Sequence, residues 1–148
     1  MKKGFTLTEL LAVIAIIGII SLVAIPNIIN VVDNIKKQNM IDDATKLISL
    51  AKMKVNESYA VRNFTDTSFC NSSNKTCTFS LSVLNIKGDI KTDPDSGSYA
   101  SASYVRYSVT NGVVNYCVYL KGSKRRIGTS SSCVFEDQLD NKANVITE

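Results

Sequence analysis

The chain has 148 residues, 45% of them hydrophobic, with 17 basic and 13 acidic side chains and a formal net charge of +4. That length suits one domain with a non-globular extension, and so mild a charge does not call for nucleic acid as a partner. Histidine is absent, which removes the commonest general base and every Ser-His-Asp or Cys-His arrangement. With no Gly-rich phosphate loop, H-E-x-x-H or G-x-S-x-G either, the chain reads as non-catalytic, without cofactor or metal.

Apolar residues are concentrated at one end. Residues 10–32 contain no charged side chain, while the remainder is rich in Asn, Ser, Thr, Lys and Asp. A bilayer needs a run of ~20 apolar residues. Lys2 and Lys3 ahead of this one would hold the N-terminus in the cytoplasm and leave everything after the span outside. A removable secretory signal fits poorly, because the run is longer than the usual apolar core and Leu22-Val23-Ala24 is a weak cleavage site. A plain membrane anchor leaves Glu9 unexplained, since a carboxylate in a membrane segment is costly and is usually there for a function.

A third reading accounts for Glu9. Gly4-Phe5-Thr6-Leu7-Thr8-Glu9, behind a short lysine-containing leader, resembles the processing site of type IV prepilins. That family includes the pseudopilins of type II secretion and competence systems. The motif covers about six residues, and the compatible helix extends the likeness to the first third of the chain. The resemblance implies that a prepilin peptidase cuts between Gly4 and Phe5 and methylates the new amino group of Phe5. Glu9 then stands fifth in the mature chain, where the Phe5 amine of one subunit neutralises Glu9 of a neighbour and sets axial register. Gly18 and Pro26 fall where many members carry helix-loosening residues. Glycine is intrinsically loose, and Pro26, unable to bond back to Leu22, is expected to kink, melt or end the helix.

The amphipathic part begins after Asp33. Ile35, Ile41, Ala44, Leu47, Ile48, Ala51 and Val55 recur at helical spacing. The helix is expected to run from Thr6 to about Tyr59 or Val61, roughly 80 Å at 1.5 Å per residue. The organisation expected is a leader at 1–4, a membrane and filament-core helix at 5–32, its amphipathic continuation at 33–61, and a small β-rich domain at 62–148. So small a domain buries little surface without staples. Cys70, Cys77, Cys117 and Cys133 supply two disulfides in an oxidising exterior. Sequence proximity favours Cys70–Cys77 and Cys117–Cys133. Four free thiols are the alternative, and the C-x6-C and C-x15-C spacings are too wide for a zinc knuckle.

Residues 62–76 read as polar and turn-rich. The Asn-x-Ser/Thr triplets at Asn56, Asn63, Asn71 and Asn74 are mostly chance in so polar a chain. Leu81, Leu84 and Ile86 suggest a helical turn or strand, and residues 93–97 (Asp-Pro-Asp-Ser-Gly) a turn. Two β-branched, aromatic-rich runs, 104–110 and 113–120, flank Asn111-Gly112 and predict a type I′ hairpin. A third strand is expected at 124–127 or 133–135, a loop within 122–132, and a polar, mobile tail from Glu136. The loop that Cys117–Cys133 would bound looks like the C-terminal disulfide loop of pilins.

Lys121, Lys124, Arg125 and Arg126 form a basic cluster beside Tyr104, Tyr107, Tyr116 and Tyr119. Such a pairing can make a single-stranded DNA platform, but a solvated turn beside core tyrosines is the better reading. The fold expected is α+β and type IV pilin-like, one long N-terminal helix packed on a small antiparallel sheet. The resemblance implies a pilus subunit, or alternatively a pseudopilin of a secretion or competence system with weak DNA binding. Its implied partners are prepilin peptidase, other pilin subunits, membrane lipid, and a membrane-embedded assembly platform with its ATPase. It would wait in the inner membrane, C-terminal domain outside, and then move to a surface pilus or pseudopilus.

Overall fold

Helix α1 (Leu7–Glu57) accounts for a third of the chain. The computed structural model describes residues 6–65, 67–85, 88, 90 and 92–148, with side chains at all of these except 23–27. The chain divides into two units, Met1–Ile35 and Lys36–Glu148. An interior proline forfeits one i→i−4 hydrogen bond, yet α1 continues through Gly18 and Pro26 rather than melting or ending there. The helix therefore neither melts nor ends at Pro26.

In the first unit, large apolar side chains stay in the open. Leu10, Leu11, Ile16 and Ile19 are each more than half exposed, and at about 100° per residue they fall on different sides of the helix. Among the described residues no helix is long and apolar enough to cross a membrane. The charge-free run of the sequence includes 23–27, whose side chains lie outside that description.

In the second unit α1 becomes one-sided. Met40, Ile41, Ala44, Leu47, Ile48, Ala51 and Val55 are buried at the spacing of a single helical stripe. Ile35, expected on this stripe, is 53% exposed. The chain turns at Ser58, whose side chain accepts from the Val61 N–H at 3.4 Å and opens a short helix, α2 (Tyr59–Arg62).

Among the described residues seven antiparallel strands follow: β1 (Cys70–Asn71), β2 (Thr76–Ser80), β3 (Tyr104–Thr110), β4 (Val113–Lys121), β5 (Arg125–Ile127), β6 (Val134–Phe135) and β7 (Val145–Thr147). Their order is β1-β2-β3-β4-β5-β7, with β6 beside β4. Helix α3 (Leu81–Leu84) fills the step after β2. Asn111 and Gly112 take φ of 53° and 78°, the left-handed pair that a type I′ turn requires, and set Thr110 opposite Val113. Alternation then sends Phe79, Val105 and Val118 to the face that meets the α1 stripe, where all are fully buried. Each such side chain contributes about 1.5–3 kcal/mol by leaving water. The architecture is α+β, a long N-terminal helix on an antiparallel sheet.

Three local expectations are corrected. The polar stretch 62–76 contains β1 and leads into β2, a strand with little apolar alternation of its own. Both proposed third strands exist, as β5 and β6. The tail is built rather than loose: it forms two 3-10 turns and β7, and buries Leu139 and Val145. Ile86, expected to continue the α3 pattern, lies outside the described residues. Disulfides join Cys70 to Cys77 and Cys117 to Cys133.

Candidate assembly site

The first four N–H groups of any helix lack intrahelical partners. At the start of α1, Thr6 and Glu9 satisfy two of them reciprocally. The Glu9 N–H donates to the Thr6 hydroxyl at 3.3 Å, and the Thr6 N–H donates to Glu9 Oε2 at 2.8 Å. The Thr6 hydroxyl also lies 2.8 Å from the same oxygen. This is a capping box, and its T-x-x-E signature before an apolar run is legible in the sequence. Reading Glu9 only as an assembly residue missed it.

Behind the cap the helix offers almost no polarity. Ser21 turns its hydroxyl back onto the Ile17 carbonyl at 2.8 Å, so it does not present an unsatisfied donor. A Cβ built on Gly18 meets nothing within 4 Å, so within a single chain no contact demands glycine there. Gly4 and Phe5 lie outside the described residues. A helix apolar on all sides requires cover from lipid or from other helices.

Residues 1–25 match the family model described as the prokaryotic N-terminal methylation motif. The motif is the type IV pilin and pseudopilin signature. Over those residues the chain is similar to type IV pilin-like and pseudopilin subunits, whose family role is structural. No curated protein and no solved structure matches the chain.

The second unit scatters the basic cluster. Arg125 is buried and ion-paired with Asp95. Lys121 and Arg126 lie 3.8 and 3.4 Å from the Glu148 carboxylate. Lys124 is exposed. Tyr107 and Tyr119 are buried, Tyr107 stacking on Phe64 with ring centres 4.9 Å apart. These side chains do not form one open basic and aromatic platform.

What holds Arg125 is the turn at 93–97. Asp93 Oδ1 accepts from the N–H groups of Asp95 and Gly97 at 2.9 and 2.8 Å, and Oδ2 accepts from the Ser123 N–H. Burial alone would raise the Asp93 carboxyl, but the bonds from Ser123, Gly97 and Asp95 hold it below its ordinary value. Asp95 binds Lys36 at 2.9 Å as well as Arg125. Burial opposes its ionisation too, and the two cations outweigh it. Nearby, the Tyr99 hydroxyl donates to Asp43 Oδ2 at 2.6 Å, and burial together with that carboxylate pushes the phenol up. The turn thus ties Lys36 of the helix to the β4–β5 connection, and Tyr99, two residues beyond it, holds Asp43.

Proposed function

We propose that this chain is a structural subunit of a type IV pilus-like surface filament. The precursor inserts its N-terminal helix in the inner membrane, is cut between Gly4 and Phe5 by prepilin peptidase, and polymerises through that helix. The observation that carries the reading is the conjunction of the methylation motif with a charge-free, exposed helix whose first turn holds Glu9. Lipid covers such a surface before assembly, and neighbouring subunit helices cover it afterwards. Gly18 and Pro26 act as the places where the helix yields on extraction. The Phe5 amine of one subunit meets Glu9 of the next, since a lone carboxylate in an apolar bundle is strongly unfavourable. A membrane-embedded assembly platform and its ATPase add the subunits.

A pseudopilin of a secretion or competence system uses the same N-terminal chemistry. Its DNA-contact element draws no support from Lys121, Lys124, Arg125 and Arg126, given the burial and pairing above. The test is intact-mass and N-terminal analysis of sheared surface filaments. Filaments containing this chain from a methylated Phe5 onward support the reading. A mature protein that retains residues 1–4 and stays in the membrane fraction overturns it.

A further inference from the structure

Arg106 is the one arginine of the sheet that no carboxylate meets among the described residues: Arg125 pairs with Asp95, and Arg126 with Glu148. It stands mid-strand in β3, half-buried, on the face turned away from the α1 stripe. Its guanidinium lies over the Tyr104 ring at 5.2 Å, with Nη2 3.4 Å from the Tyr104 hydroxyl. That hydroxyl donates onward to the Ser130 carbonyl at 3.3 Å. Tyr119 packs beside Tyr104, ring centres 5.6 Å apart, and completes the support. The guanidinium is therefore positioned, and among the described residues no carboxylate neutralises it.

The surroundings are hydroxyls. Thr78 is the direct register partner of Arg106 on β2, and Cys117 is its partner on β4. The Cys117–Cys133 bridge fastens the loop that ends at Ser132 against this face. A groove of about 290 Å³ results, lined by Thr76, Arg106, Ser108, Ser131, Ser132 and the ring of Phe135. That is the lower end of ordinary ligand sites, roughly 300 Å³ and upward. A second groove, lined by Phe69, Thr78, Ser80 and Ser101, continues the face on the far side of Tyr104.

We propose that this face binds an acidic saccharide, with the carboxylate of one sugar ring on Arg106. A guanidinium fork matches a carboxylate with two parallel charge-assisted hydrogen bonds. Serine and threonine hydroxyls both donate and accept, as sugar hydroxyls require. Phe135, 43% exposed, offers its ring to the apolar side of the sugar. Nucleic acid fits less well, because tracking a phosphate backbone takes several cations along a groove, and among the described residues Arg106 is the one cation lining the first groove and none lines the second. The site uses no residue of the N-terminal helix, so the proposal stands or falls independently of filament assembly.

The test uses the full chain in detergent micelles with three probes: a tetrasaccharide alternating glucuronate and N-acetylglucosamine, a neutral chitin tetrasaccharide, and an oligothymidylate. The glucuronate probe should bind saturably, and the other two should not compete with it. R106Q should weaken that binding by about tenfold or more, the scale of a hydrogen bond to a charged group. R106K, which keeps the charge without the fork, should fall between. S131D sets a carboxylate in an exposed loop at the groove and should abolish binding without touching the core. Circular dichroism and non-reducing peptide maps of each variant check the fold. Absence of saturable binding, equal binding of the neutral probe, unchanged affinity in R106Q and S131D, or preferential capture of oligothymidylate would each overturn the proposal.

Discussion

Glu9 accepts two hydrogen bonds from Thr6, from its backbone N–H and its hydroxyl, both on Oε2 at 2.8 Å. The same carboxylate that the filament reading assigns to a neighbour's amine is therefore already closing its own helix. The two roles are compatible: an ionised carboxylate offers about four lone-pair positions, and Oε1 holds no bond among the described residues. They are also separable by substitution. Glutamine preserves a capping box but carries no charge. Glu9→Gln should keep the helix and the membrane pool of the wild type, yet enter filaments as poorly as Glu9→Val. The measurement is the ratio of sheared-filament to membrane-pool protein at matched expression. Wild-type recovery for Gln with loss for Val would make Glu9 a cap and nothing more.

Processing gives the second prediction. On the proposed reading the peptide bond after Gly4 enters a peptidase site, where a long side chain in place of glycine would obstruct the close approach to the backbone. Gly4→Arg should accumulate in the membrane at precursor mass, while the wild type should yield a chain starting at Phe5 and one methyl group heavier. Mass spectrometry of the membrane fraction separates the two. A Gly4→Arg protein cut as efficiently as wild type would dissociate the motif from cleavage.

How much of this was legible varies with how local the cause is. The hairpin of β3 and β4 was readable because Asn111-Gly112 carries its own backbone requirement and the flanking runs alternate. Strand β2 was not, because Thr76, Thr78 and Ser80 are small and polar, and only Cys77 and Phe79 point inward. The tail misled for the same reason. Leu139 and Val145 are isolated apolar residues in a polar stretch, and β7 exists only because Arg125 to Ile127 offers it a distant partner. Arg125 looked exposed beside its basic neighbours, since its counter-charge, Asp95, lies 30 residues earlier. The capping box was the opposite case: wholly local, written as T-x-x-E, and overlooked because Glu9 already had a role.

The Asp95–Arg125 pair supplies the third prediction. Both side chains are nearly inaccessible, 4% and 8% exposed, and Lys36 joins them. Asp95→Asn keeps the shape and removes the charge that the Arg125 guanidinium and Lys36 both face. Breaking a buried pair from one side costs about 3–5 kcal/mol. Denaturant unfolding of the full chain in detergent, under non-reducing conditions, should show that loss. Asp137→Asn, an exposed substitution on the first 3-10 turn, should change stability by less than about 0.5 kcal/mol. Equal midpoints for the two variants would remove the turn at 93–97 from the domain's stability.

The same turn sets the acid limit of the fold. Asp93 and Asp95 both titrate below their ordinary values in the folded chain. An unfolded aspartate titrates near roughly 3.9. Above that value both groups are ionised in either state, and the stability they contribute is fully present. As pH falls through the unfolded value toward the lowered folded ones, the unfolded chain binds protons first, and the contribution drains away. Asp43 works in the opposite sense. Burial outweighs the Tyr99 bond and the Lys46 charge and raises its carboxyl, so the folded chain takes up that proton first as pH falls, which offsets part of the loss. Two lowered groups against one raised group leave a net acid destabilisation. Unfolding midpoints should be level from neutrality down to about pH 5 and fall below about pH 4. Replacing Asp95 by Asn should lower the whole curve and flatten that acid limb, because one of its two titrating sources is gone. Replacing Asp43 by Asn should do the reverse and steepen it. An acid limb of unchanged slope in both variants would mean that other carboxylates govern the transition and that the turn is anchored by its backbone bonds alone.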